Sequence, residues 1–154
     1  MTTLSAEQRK QIADAIDEDS YCQNIAKAGT EHAEQRAFFA WLMLMENRGV
    51  VPRAGMAYAV PNGGKRDAIT AARLKAEGVK SGVPDVCWPV PFGRFAGLYI
   101  ELKIAGGQVS SSQEEWHRNL REVGHAVAVC YGWRAARECL LAYIRTEEPA
   151  KTYR

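Results

Sequence analysis

Residues Gly82–Lys103 read GVPDVCWPVPFGRFAGLYIELK, and this stretch decides the fold. Asp85 follows a proline at the mouth of one apolar run, Val86-Cys87-Trp88. A loop rich in proline and glycine separates it from a second run, Leu98 to Ile104, that carries Glu101 and Lys103. In a strand alternate side chains share a face, so Glu101 and Lys103 point one way with Tyr99. Leu98, Ile100, Leu102 and Ile104 point the other way, toward a core. If the two runs pair as a hairpin, Asp85 reaches the face of Glu101 and Lys103. Two carboxylates about 5 Å apart repel by roughly 3 kcal/mol at an effective dielectric of about 20. A hard divalent cation such as Mg²⁺ relieves that repulsion, prefers oxygen ligands and polarises a phosphoryl oxygen beside a lysine. Asp, Glu and Lys so placed form a constellation for metal-dependent phosphodiester cleavage. Taken alone, E-x-K reads more readily as a surface ion pair.

Working outward, the chain has the bulk properties of one globular domain. It has 154 residues, 47% hydrophobic and 25% charged, with a formal net charge of +2. That length supports a core, and so mild a charge permits nucleic-acid binding only through a local basic surface. No apolar run approaches the roughly 20 residues that span a bilayer, and the N-terminus is polar, so a cytoplasmic protein is expected. Four widely spaced cysteines with no C-x-x-C pair suit reduced, buried thiols. His32, His117 and His125 lie at no zinc-ligand spacing with any cysteine pair.

Residues 4–18 read as one short helix with a Ser5/Gln8 capping box, weakened by the acidic run Asp17-Glu18-Asp19 at its C-terminal end. Thr30 is the N-cap of the strongest helix, which runs to Asn47 with Gly49 beyond its end and an apolar stripe Phe38, Trp41, Leu42, Met45. Glu34 lies on that stripe, where an acid is either paired or costly; first-turn solvation is the competing account. Solvation in the first turn also accounts for Glu31. Val50-Val51 and Met56–Val60 read as strand, Pro61-Asn62-Gly63-Gly64 as a turn, and Asp67–Glu77 as a helix closed by Gly78. Lys65, Arg66, Arg73, Lys75 and Lys80 make this segment positive, either as a solvated face or as phosphate contacts beside a catalytic cluster.

Beyond the central stretch, Ser110 with Gln113 forms a capping box for a helix through Trp116, Leu120 and Val123. His125–Tyr131 reads as a strand parallel to the Glu101 strand, Arg134–Ile144 as an amphipathic helix, and the polar tail as loose. The expected architecture is α/β, a mixed central sheet flanked by helices.

Five motifs now stand in order: Glu34; Asn62-Gly63-Gly64; GVKSGVPD ending at Asp85; YIELK at Tyr99–Lys103; and GQVSSSQ ending at Gln113. Together, from about Glu31 to Ile144, they resemble the VRR-NUC domain, a branch of the PD-(D/E)xK nucleases, in its small stand-alone bacterial or phage form. The resemblance implies a restriction-endonuclease-like αβββαβ core and Mg²⁺- or Mn²⁺-dependent hydrolysis of DNA by a homodimer acting on branched substrates such as four-way (Holliday) junctions. It implies that Asp85, Glu101, the Leu102 backbone carbonyl and Glu34 ligate the metal. Lys103 would orient or activate water, and Gln113 would fix a ligand or the substrate. Lys65, Arg66, Arg73, Lys75 and Lys80 would bind DNA. On this reading residues 1–29 are an N-terminal helical extension, 30–145 the nuclease domain and 146–154 a loose tail. A site-specific restriction-type nuclease and a non-cutting binder of branched DNA are the alternatives. The prolines after Asp85 shorten its strand and make the hairpin irregular.

Overall fold

The computed structural model describes residues 3–62 and 66–154; the expected turn at Gly63-Gly64 and the cation Lys65 lie outside the described residues. The chain is α/β. Its central sheet holds β1 (Tyr58–Ala59), β2 (Val86–Trp88), β3 (Leu98–Lys103), β4 (Ala126–Tyr131) and β5 (Thr152–Tyr153) in that spatial order. β1, β2 and β3 run antiparallel in succession, and β3, β4 and β5 run parallel. The two parallel connections are α5 (Ser111–Glu122) and α6 (Trp133–Ile144), the crossover that parallel pairing requires. Among the described residues no helix is long and apolar enough to cross a membrane.

The irregular hairpin pairs cleanly, with Val86 opposite Ile100, Cys87 opposite Tyr99 and Trp88 opposite Leu98. Its proline-rich connection folds into an aromatic lobe. Trp88, Phe92 and Tyr143 lie with ring centroids 5.5–5.8 Å apart, and the Tyr143 hydroxyl donates to the Val90 carbonyl at 2.7 Å. Pro89 and Pro91 therefore cost the hairpin no register; their strand-breaking effect falls on a segment already held by side-chain packing.

α3 (Glu31–Arg48) begins with the Thr30 hydroxyl accepting the Ala33 amide and ends at Gly49, whose φ of 73° is the left-handed geometry glycine favours. Its buried Phe38, Trp41 and Leu42 join Leu98, Ile100 and Leu102 of β3 and the inward face of α6 in one core. β4 offers small residues, Ala126, Ala128 and Cys130, to the same core. All four cysteines are buried and free.

The N-terminal segment differs from expectation. The single helix over 4–18 is two helices, α1 (Ala6–Ala15) and α2 (Glu18–Ala26). The break places Asp17-Glu18-Asp19 at the start of α2, where the helix dipole favours acids instead of opposing them. The Arg48 guanidinium then donates to the Ala13 and Ile16 carbonyls at the end of α1 and pairs with Glu18, tying both helices to α3. The tail also departs from the loose coil expected, since Thr152 and Tyr153 add β5 to the sheet edge. The expected strand around Met56 is a 3₁₀ turn at Ala54–Met56 followed by a two-residue β1.

Candidate active site

Glu101 leaves β3 on the face opposite the core, yet it is only 1% exposed. Two donors converge on its Oε1: Lys103 Nζ at 3.0 Å, two residues along the same strand face, and Gln113 Nε2 at 2.6 Å. A buried carboxylate without such partners costs several kcal/mol, so this pairing is what lets the acid lie here. Gln113 is positioned by its own helix start. Its Oε1 accepts the Ser110 amide at 2.9 Å while the Ser110 hydroxyl accepts the Gln113 amide, a complete capping box at the head of α5.

Asp85 arrives from the other strand. The β2–β3 register carried one position further sets it opposite Glu101. Its Oδ2 accepts the Leu102 amide at 2.8 Å, and its carbonyl accepts the Val60 amide. Because an opposed strand residue directs its N–H and C=O to the same neighbour, the Leu102 carbonyl leaves on the Asp85 side. The loop before Asp85 is pinned at both ends. Asn62 Nδ2 donates to the Val83 carbonyl, and Gly82, at φ +87°, packs so closely on α5 that a Cβ would stand 2.6 Å from the Ser112 carbonyl oxygen. Burial, reinforced by the neighbouring Glu101 charge, pushes the Asp85 carboxyl up to about 7. Burial pulls the Lys103 ammonium down, but Glu101, Glu31 and Asp85 outweigh it and its pKa ends above the usual lysine value. The site is thus two acids competing for too little positive charge.

The structure brings Asp85, Glu101, Lys103 and Gln113 together, while the Glu34 carboxylate is engaged at the head of α6. Glu34 sits at the head of α6, its Oε2 accepting the Trp133 amide at 2.7 Å, and it lines a different cleft from Asp85. Its position on the buried stripe is explained by that cap, since the first amides of a helix need an acceptor. Glu31 is the acid of α3 that turns toward the site: its Oε1 lies 4.0 Å from Lys103 Nζ, and it shares with Asp85 a cleft also lined by His32, Gln35, Val60 and Pro61. Stripe position misleads here because α3 packs on the core face of the sheet. Both acids lie in its first turn, where Glu34 meets the head of α6 and Glu31 lies beside Lys103. His117, buried at 4% and one turn after Gln113 on α5, was also missed. The Q-x-x-x-H spacing, which puts both on one helix face, was the signal that pointed to it.

Arg66, Arg73, Lys75 and Lys80 are all exposed on or around α4 (Ala68–Ala76), a helix with no buried residue. The Asp67 side chain caps α4 by accepting the Thr70 amide, and Arg66, Lys75 and Lys80 line the groove beneath it.

Among the described residues no three His, Cys, Asp or Glu side chains form a ready-made metal cage. What is present is an oxygen pair from Asp85 and Glu101, with Oε2 of Glu101 buried and without a hydrogen-bond partner. Two facing carboxylates, one with its pKa raised by burial and by the charge of the other, fit a hard cation that relieves their repulsion.

The family model described as the VRR-NUC domain matches residues 18–134. A solved "VRR_NUC domain protein" superposes with a TM-score of 0.64 at 23% identity, covering 81% of this chain and 96% of its own; at that identity the likeness speaks for the fold. No curated protein matches the chain.

Proposed function

The chain belongs to the VRR-NUC domain family, a family of nucleases, and from that premise we propose that it is a metal-dependent endonuclease hydrolysing the phosphodiesters of branched DNA, four-way junctions included. The observation that carries this reading is the Asp85–Glu101 carboxylate pair, Glu101 buried and Asp85 partly so, served by Lys103 and Gln113. A structural ion pair has no use for a second carboxylate whose pKa its neighbour raises.

Asp85, Glu101 and the Leu102 carbonyl would hold Mg²⁺ or Mn²⁺, with Glu31 as the α3 acid nearest to complete the set. The ion would supply Lewis-acid polarisation of the scissile phosphate and a more acidic water. The protein's own groups do the rest. Lys103 holds Glu101 in place and offers a positive charge where a phosphate gathers negative charge. Gln113 fixes the carboxylate from the other side, and its helix cap keeps that amide from swinging. Arg66, Arg73, Lys75 and Lys80 offer cations to a phosphate backbone approaching over α4, and such contacts position a strand without reading its bases. A homodimer, the commonest symmetric assembly, would present two such sites to two strands of a junction.

Incubating the protein with labelled four-way junction, flap and linear duplex, with and without Mg²⁺, tests the proposal. Metal-dependent cutting that Asp85→Asn abolishes is expected, strongest on the junction. Binding without cutting would make this a nuclease-fold binder. Discrete fragments from plasmid DNA would make it a site-specific enzyme.

A further inference from the structure

Among the described residues four buried side-chain atoms lack a hydrogen-bond partner, and two of them face each other: His117 Nε2 and Glu101 Oε2, 3.7 Å apart. Both residues are almost wholly enclosed, His117 at 4% and Glu101 at 1%. A buried polar atom left unpaired costs about 1–3 kcal/mol, and a shift of less than about 1 Å would bring this pair to hydrogen-bond distance. A histidine that merely filled the core would not aim its free nitrogen at a free carboxylate oxygen.

The contact matters because of how Glu101 is otherwise held. Lys103 and Gln113 both grip Oε1. With Oε2 free, the carboxylate plane can turn, since the terminal torsion of a glutamate is broad. A donor on Oε2 removes that freedom and decides which lone pairs face Asp85. We propose that His117 is a positioning residue that donates from Nε2–H to Glu101 Oε2 and fixes the carboxylate plane of the site. Its effect on metal binding rests on the reading given under Proposed function; the pairing itself does not.

The nitrogen spectrum of the imidazole in the metal-free protein reads the pairing directly. The expected result is a proton on Nε2 of His117, with a shift that moves in Glu101→Gln. A proton on Nδ1 with bare Nε2 would overturn the proposal. Mn²⁺ calorimetry on the DNA-free protein reads the consequence. His117→Leu should bind Mn²⁺ about tenfold or more weakly than the parent, the usual effect of losing a partner of a metal ligand. His117→Gln, whose amide nitrogen stands close to the lost Nε2, should recover most of that affinity. Melting curves show whether both variants fold. Equal Mn²⁺ affinity in a folded His117→Leu, or a His117→Gln as weak as His117→Leu, would count against the positioning role. If the parent protein takes up no Mn²⁺ while its spectrum shows Nε2–H on Glu101, the metal reading falls and the pairing stands.

Discussion

Gln113 Nε2 donates to Glu101 Oε1 across 2.6 Å while Gln113 Oε1 accepts the Ser110 amide at 2.9 Å. One amide thereby closes the first turn of α5 and holds the buried acid of β3, so the start of a helix and the geometry of the site are a single arrangement. The two ends of the amide fix its orientation, because only the nitrogen can donate to the carboxylate.

Substitutions at Gln113 separate these duties. Gln113→Glu keeps an acceptor for Ser110 but turns a second carboxylate on Glu101, so cleavage should be lost. Gln113→Ala should lose about 1 kcal/mol of stability with the cap and about 10–100-fold in cleavage. Junction-cleavage rates and urea melts on both variants check this; full activity in Gln113→Glu would dissociate the site from Glu101.

Asp85 gives the metal-free protein a pH dependence. Its folded pKa of about 7 stands above the ordinary 3.8, so the folded state binds the proton more tightly. The stability this contributes is fully present below pH about 4 and is lost as pH rises through about 7. Asp85→Asn should remove that decline and melt higher than the parent at pH 8 without metal, while cutting nothing. Chelated samples melted at several pH values test it. Adding Mn²⁺ at pH 8 should raise the parent's melting point and leave the variant's unchanged.

Glu31 and Glu34 should fail in different ways. Glu34→Ala removes the acceptor for the Trp133 amide and should cost about 1–2 kcal/mol of stability, as other lost helix caps do. Glu31→Gln is half exposed and should leave stability within about 0.5 kcal/mol while reducing cleavage at least about tenfold. Stability and rate measured side by side decide which acid of α3 serves the site.

Gly82→Ala forces a Cβ to within 2.6 Å of the Ser112 carbonyl oxygen at a φ of +87°. Backbone strain and the clash together should destabilise by about 2 kcal/mol or more. Asp85 lies three residues on, so cleavage should drop further than the fraction folded explains. Denaturation and rate measurements on the same sample make the comparison.

The cations of α4 should act through the phosphates. Replacing Arg73, Lys75 and Lys80 together by glutamine should weaken DNA binding similarly for all sequences. It should also flatten the plot of log affinity against log salt by about 2–3 units. Because none of the three touches Glu101 or Asp85, cleavage at saturating DNA should be little changed.

Much of the molecule was legible in order along the chain. Capping residues announced α1, α3 and α5, alternation in Leu98–Lys103 announced a strand with one charged face, and turn residues marked most boundaries. These signals are local: a cap or an alternating face acts over a few residues, and the physics that sets it is already present in the short segment. The helix break at Ile16-Asp17 is also local, and the acidic run marks it: a new helix start removes the adverse dipole that a single helix over 4–18 would carry.

By itself, then, the sequence determined most of the elements, their α/β character, and the meeting of Asp85 with Glu101 and Lys103, because pairing of two adjacent strands follows from their own pattern. Only the tertiary structure decided that Glu31 turns toward Lys103 while Glu34 caps α6, that His117 lies 3.7 Å from Glu101, and that the tail edges the sheet as β5. Each of those depends on how one element sits across another. Glu31 and Glu34 are one helical turn apart with similar local surroundings, and only the packing of α3 against the sheet and α6 commits one to a helix cap and turns the other toward Lys103.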